Sequence, residues 1–157
     1  MATEIERKFL LAELPDWLGE CDSEHVEQGY VALEEGAEVR VRAAGDARRL
    51  TVKRGGGRSR EEVEIELEAE QFEALWPLTE GRRVLKRRHF RAAAEGTFEI
   101  DVYEGGLAGL AVAEIEFDSE QAAERFEPPG WLGAEVTGDQ RYANRTLAVD
   151  GAPERPA

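Results

Sequence analysis

Hydrophobic and polar positions alternate with a period of two through most of the chain, the spacing of strands whose side chains face opposite ways. The pattern predicts strands at Thr3 to Leu11, Val26 to Leu33, Ala37 to Ala43, Arg48 to Lys53, Arg60 to Leu67, Arg83 to Arg91, Thr97 to Tyr103 and Leu110 to Phe117. Turn-prone segments such as Glu34-Glu35-Gly36 and Gly45-Asp46 separate them. Three stretches change to helical spacing. Ala69 to Trp76 ends at Pro77, and Ser119 to Phe126 follows an Asp118/Gln121 capping pattern and stops at Pro128-Pro129. Gln140 to Val149 follows a Thr137/Gln140 box. Eight short strands on short connections make an α+β chain: a mainly antiparallel sheet or barrel with helices packed outside. Residues 1–149 read as one domain and 150–157 as a loose tail.

The polar half of the alternation is charged. Glu4, Glu6 and Lys8 share one face of the first strand, Arg40 and Arg42 alternate with Val39 and Val41, and Glu62, Glu64 and Glu66 alternate with Val63 and Ile65. Lys53, Lys86, Arg88, Asp101, Glu114 and Glu116 fall on the same kind of face. One strand of this type is an ordinary sheet with a solvated side. Taken together, however, the strands carry like-charged pairs about 6–7 Å apart, mildly repulsive unless something between them compensates. Glutamate pairs invite a divalent cation, and arginine pairs invite an anion. Closing the sheet with this face inward gives an eight-stranded tunnel with a charged lumen, a surface that is costly to desolvate unless polyanion and metal neutralise it.

Composition narrows the class. The 157 residues carry 20 Lys and Arg against 34 Asp and Glu, a net charge of -14, which argues against a nucleic-acid binder. Cys21 has no partner for a disulfide and points to a reducing compartment; no apolar run approaches the ~20 residues of a membrane helix. A cytoplasmic protein is expected. Only three of the basic residues are lysines, Lys8, Lys53 and Lys86, and all three lie on the charged face. A compact ammonium meets phosphate as a point charge and can take part in proton transfer.

Glu4-Ile5-Glu6-Arg7-Lys8 matches ExExK, and Arg40-Val41-Arg42, Thr51-Val52-Lys53, Glu62-Val63-Glu64, Lys86-Arg87-Arg88, Asp101 and Glu114-Ile115-Glu116 follow in order. This set resembles the CYTH superfamily, or triphosphate tunnel metalloenzymes, most closely its short bacterial inorganic triphosphatases. The resemblance implies a tunnel that binds a linear triphosphate with magnesium or manganese and releases phosphate from it. Glu4, Glu6, Glu114 and Glu116, helped by Glu62 and Glu64, would hold metal. Lys8, Arg40, Arg42, Lys53, Lys86 and Arg88 would clasp phosphates. Tyr30 with Lys53 is similar to a family tyrosine–lysine dyad, which with Lys8 makes the catalytic set; its alternative role is to order the site. The Tyr142-to-Leu147 stretch would close one tunnel mouth, with Arg141 or Arg145 reaching inward.

Other readings stay open at this point: hydrolysis of thiamine or nucleoside triphosphate, a non-catalytic polyphosphate or nucleotide sensor, and a plain interaction module. The sequence allows a homodimer and gives no sign of a nucleic-acid or membrane partner. His25 and His89 lack the companions of a zinc site, the Gly55-Gly56-Gly57 segment has the wrong order for a P-loop, and Trp17, Trp76 and Trp131 read as packing residues.

Overall fold

A computed structural model describes residues 5–55 and 61–154. Expectations for Glu4, Gly56, Gly57 and Arg60 fall outside these residues. Eight strands form one antiparallel sheet: β1 (Ile5–Leu10), β2 (Asp22–Glu34), β3 (Ala37–Ala44), β4 (Ala47–Arg54), β5 (Glu61–Glu66), β6 (Arg83–Ala93), β7 (Gly96–Tyr103) and β8 (Ala111–Phe117). Their order is β1-β8-β7-β6-β2-β3-β4-β5. Among the described residues no ladder joins β1 to β5, so hydrogen bonds do not complete the expected barrel. The sheet instead curls around its charged face, bringing Arg42 of β3 within electrostatic reach of Arg88 on β6 and Asp101 on β7. A flat sheet would hold β3 and β7 about 14 Å apart.

β2 starts four residues before the alternation suggests, because Asp22 to Glu24 pair with Arg88 to Phe90 of β6. A register shift between Tyr30 and Ala32 bends the same strand against β3. Gly29 is required by close approach: a Cβ there would lie 2.5 Å from Thr79, which is fully buried.

The apolar faces divide into two cores. Outside the curl, Phe9, Phe98, Ile100, Ile115 and Phe117 pack under Ala123 of α2 (Glu120–Arg125) and under Phe126, whose ring is 5.3 Å from Phe117. Trp131 meets Trp17 and Phe98 edge-on in the same layer. At one end of the curl, inside it, Tyr30, Val84, Tyr103 and Val112 pack against Leu147 and Ala148 of α3 (Asn144–Asp150). The third helix, α1 (Ala69–Leu75), buries Phe72 and packs on β3 and β4.

Three helix expectations need correction. Ser119, not Asp118, caps α2, its side chain accepting from the Ala122 amide. Gln140 to Val149 is two pieces, a 3-10 turn at Gln140–Tyr142 and then α3, separated by the extended backbone of Ala143. Asp139 caps the turn. Thr137 instead accepts a hydrogen bond from the Lys8 amide at 2.9 Å and donates to Glu135, tying this segment to the edge of β1.

Candidate active site

Register places the charged positions side by side on the inner face. From β1 to β8, Glu6 lies opposite Glu116 and Lys8 opposite Glu114; from β8 to β7, Glu114 lies opposite Glu99. This wall is acidic, and Glu6, Glu99, Glu114 and Glu116 line one cavity of about 440 Å³. Lys8, on the same face of β1 as Glu6, lies 3.0 Å from Glu114 and 3.4 Å from the Tyr142 carbonyl.

The opposite wall is basic. Arg88 and Lys86 alternate on β6, Arg40 and Arg42 on β3, and Arg49 and Lys53 on β4, with Tyr30 opposite Arg40 and Gln28 opposite Arg42 across the β2 ladder. Gln28 accepts from Arg42 at 2.6 Å and donates to the Tyr30 hydroxyl at 2.8 Å. Tyr30 also interacts with Arg40, and burial followed by the charge of Glu38 pushes its pKa up. Tyr30 is therefore a neutral hydrogen-bonding group near neutral pH, and its hydroxyl engages Gln28 and Arg40. Lys53 lies opposite Glu38 and Glu62 in the ladders. Among the described residues the buried Nε of Arg40 has no hydrogen-bond partner. Such a donor is costly to leave unmet, and an anion oxygen satisfies it.

Asp101 joins the two walls. Its carboxylate accepts from Lys86 at 2.8 Å and from Arg88 at 2.8 and 3.0 Å. Burial raises the Asp101 pKa, but Lys86 and Arg88 outweigh it and hold the group below the ordinary carboxylate range. Lys86 is fully buried, and that burial lowers it to about 8 against the pull of Asp101. Arg88 is raised: burial is overcome by Asp101, with Glu99 adding at 3.2 Å. Burial and the Arg40 and Arg88 charges lower Arg42.

The site ends at α3. Leu147 fills its floor, while Asn144 accepts from the Tyr103 hydroxyl at 2.9 Å and from Lys86 at 3.4 Å. Of the two arginines expected to reach inward, Arg141 does not: it forms an exposed pair with Asp139 at 2.6 Å. The helix turns Asn144 inward. Glu62 and Glu64 lie on β5, which is exposed along its whole length, and Glu64 is 3.4 Å from Arg49.

Sequence reasoning missed Gln28, Glu99, Tyr103 and Asn144. Gln28 and Glu99 share strand parity with Tyr30 and Asp101, a signal that was present. Asn144 carried none, because its place depends on how α3 docks.

The acidic wall supplies hard oxygen donors of the kind magnesium and manganese take. Among the described residues no three such side chains already converge on one point.

Comparison with known proteins agrees with this architecture. The inorganic triphosphatase of Nitrosomonas europaea is 48% identical over 149 residues, 94% of this chain and 97% of that protein. The inorganic triphosphatase of Acetivibrio thermocellus is 35% identical over 149 residues, 94% of each. The crystal structure of an inorganic triphosphatase superposes with a TM-score of 0.82 at 44% identity, covering 98% of this chain and 99% of that one. The CYTH domain pattern matches residues 2–128, and with that match the chain belongs to the CYTH domain family.

Proposed function

We propose that this protein is a divalent-metal-dependent inorganic triphosphatase that hydrolyses tripolyphosphate to pyrophosphate and phosphate. The names and near-complete coverage of the two curated relatives support the activity. The observation in the fold that carries it is the split lumen, a carboxylate wall on β1, β7 and β8 facing a basic wall on β3, β4 and β6. A linear triphosphate needs both, cation on one flank and fixed positive charge on the other.

Lys8, Arg40, Arg42, Lys53, Lys86 and Arg88 bind the phosphate chain, and the unmet Nε of Arg40 takes one of its oxygens. Glu6, Glu114 and Glu116, with Glu4 preceding them and Glu62 and Glu64 from β5, hold the cation. Magnesium or manganese, when bound, neutralises phosphate charge and polarises the phosphoryl group. Water attacks a terminal phosphorus, the bridging P–O bond breaks, and pyrophosphate leaves with the electron pair. The cationic side chains stabilise charge on that leaving group, while Tyr30 and Lys53 orient it by hydrogen bonds. A lumen carboxylate accepts the proton of the attacking water. Catalysis is thus largely positioning and electrostatics. Residues 1–149 form the working unit, in the cytoplasm.

The test is phosphate release from tripolyphosphate, ATP and thiamine triphosphate with magnesium, manganese or EDTA, beside Glu6→Gln. Fast metal-dependent release from tripolyphosphate, reduced by orders of magnitude in the variant, is expected. Equal turnover by a folded Glu6→Gln chain removes that carboxylate from the site. Tripolyphosphate binding without release from any substrate replaces the enzyme by a sensor.

A further inference from the structure

The ammonium of Lys86 is the most enclosed cation of the basic wall, and two side chains outside the charged signature surround it. Tyr103, opposite it across the β6–β7 ladder, places its ring 5.3 Å from Nζ. Asn144, the first residue of α3, places Oδ1 3.4 Å from Nζ and 2.9 Å from the Tyr103 hydroxyl. Lys86 can only donate, so the amide oxygen must face it, and the Tyr103 hydroxyl beside that oxygen then acts as a donor. Tyr103 remains a donor because burial, with Asp101 and Glu114 nearby, raises its pKa well above the ordinary value.

The amide is placed by packing, not by helix capping. Leu147 and Ala148 seat α3 against Tyr30, Val84 and Val112, which aims the first residue of the helix at Lys86. Residue type matters as much as placement. The ammonium already faces one carboxylate, Asp101 at 2.8 Å, with Arg88 beside it on β6 and Arg42 across from β3. A second carboxylate at the position of Asn144 would weaken the positive potential that an anion needs. A neutral acceptor directs the ammonium and leaves its charge intact. Two of its three N–H groups are then committed, to Asp101 and Asn144.

We infer that Asn144 is a positioning residue for the triphosphatase reaction: through its amide oxygen, oriented by Tyr103, it sets the direction in which Lys86 meets substrate. The inference rests on the reading of Lys86 as a phosphate-binding residue.

A double-mutant cycle on tripolyphosphate kinetics tests it, using Asn144→Ala, Lys86→Met and the two combined, with thermal unfolding to check folding. Asn144→Ala is expected to raise KM about fivefold with kcat changed less than about twofold, since a hydrogen bond to a charged group is lost in ground and transition state alike. In the Lys86→Met background the same change has no further effect. Equal factors in both backgrounds, or an unchanged KM for Asn144→Ala while Lys86→Met is impaired, overturn the inference and leave the site reading standing. Unchanged kinetics for a folded Lys86→Met chain overturn both. Tyr103→Phe gives an arm that does not depend on the lysine variant folding: removing the hydroxyl frees the amide, and KM rises about twofold to threefold. Unaltered KM there, in a folded chain, overturns the orienting step.

Discussion

Replacing Asp101 with Asn tests the electrostatic joint between the two walls. The carboxylate is buried and receives three hydrogen bonds, one from Lys86 and two from Arg88. Asparagine keeps the shape but turns one acceptor into a donor aimed at a cation and leaves Lys86 without its counter-charge. Removing one partner of a buried ion pair costs about 3–5 kcal/mol, because the remaining charge stays desolvated. For a chain of this size each kcal/mol lowers Tm by about 2–4 °C, so a fall of about 6–20 °C is expected. Urea denaturation should show the same loss as a shift in midpoint with an unchanged slope. The pH dependence follows from the lowered Asp101 pKa, which makes the folded state bind fewer protons than the unfolded chain. Its stabilisation is full above the unfolded value of about 3.9 and is lost as pH falls through the lower folded value. The gap between native protein and variant should therefore be constant near neutral pH and close below about pH 4. A loss under about 1 kcal/mol at pH 7, or a gap that persists unchanged in acid, refutes the reasoning.

Two further outcomes follow from other parts of the molecule. Lys86 is lowered to about 8 by burial, so kcat/KM for tripolyphosphate should decline above that pH as the ammonium loses its proton. Lys86→Arg, whose guanidinium stays charged, should remove that limb; an identical profile in the variant assigns the limb to another group. Gly29→Ala should lower stability by about 1–3 kcal/mol through overpacking, because the added methyl meets buried Thr79. A thermal unfolding curve matching the native protein would show that the 3-10 turn Trp76–Thr79 gives way freely.

The alternation of charged and apolar residues was enough to place all eight strands and to assign each charged position to one face, since side chains in a strand can point only two ways. It also put Glu6, Lys8, Arg40, Arg42, Lys53, Lys86, Arg88, Glu114 and Glu116 on one charged face, while their roles came only from the resemblance to the CYTH superfamily. Tertiary structure decided what the alternation cannot encode. Strand order put the glutamates of β1 and β8 together and set Asp101 between Lys86 and Arg88, a pairing set by residues 13 and 15 positions apart. Parity also left the ends of elements undefined: β2 begins early because β6 offers it a ladder, and the last helix breaks at Ala143 to let Tyr142 and Leu147 both bury. The sharpest case is Asn144. Nothing in its neighbourhood along the chain marks it, and it meets Lys86 58 positions away only because the apolar side of α3 has one place to pack. Local spacing fixes the direction of a side chain relative to its own strand or helix. Which distant group it faces is fixed by the packing of whole elements.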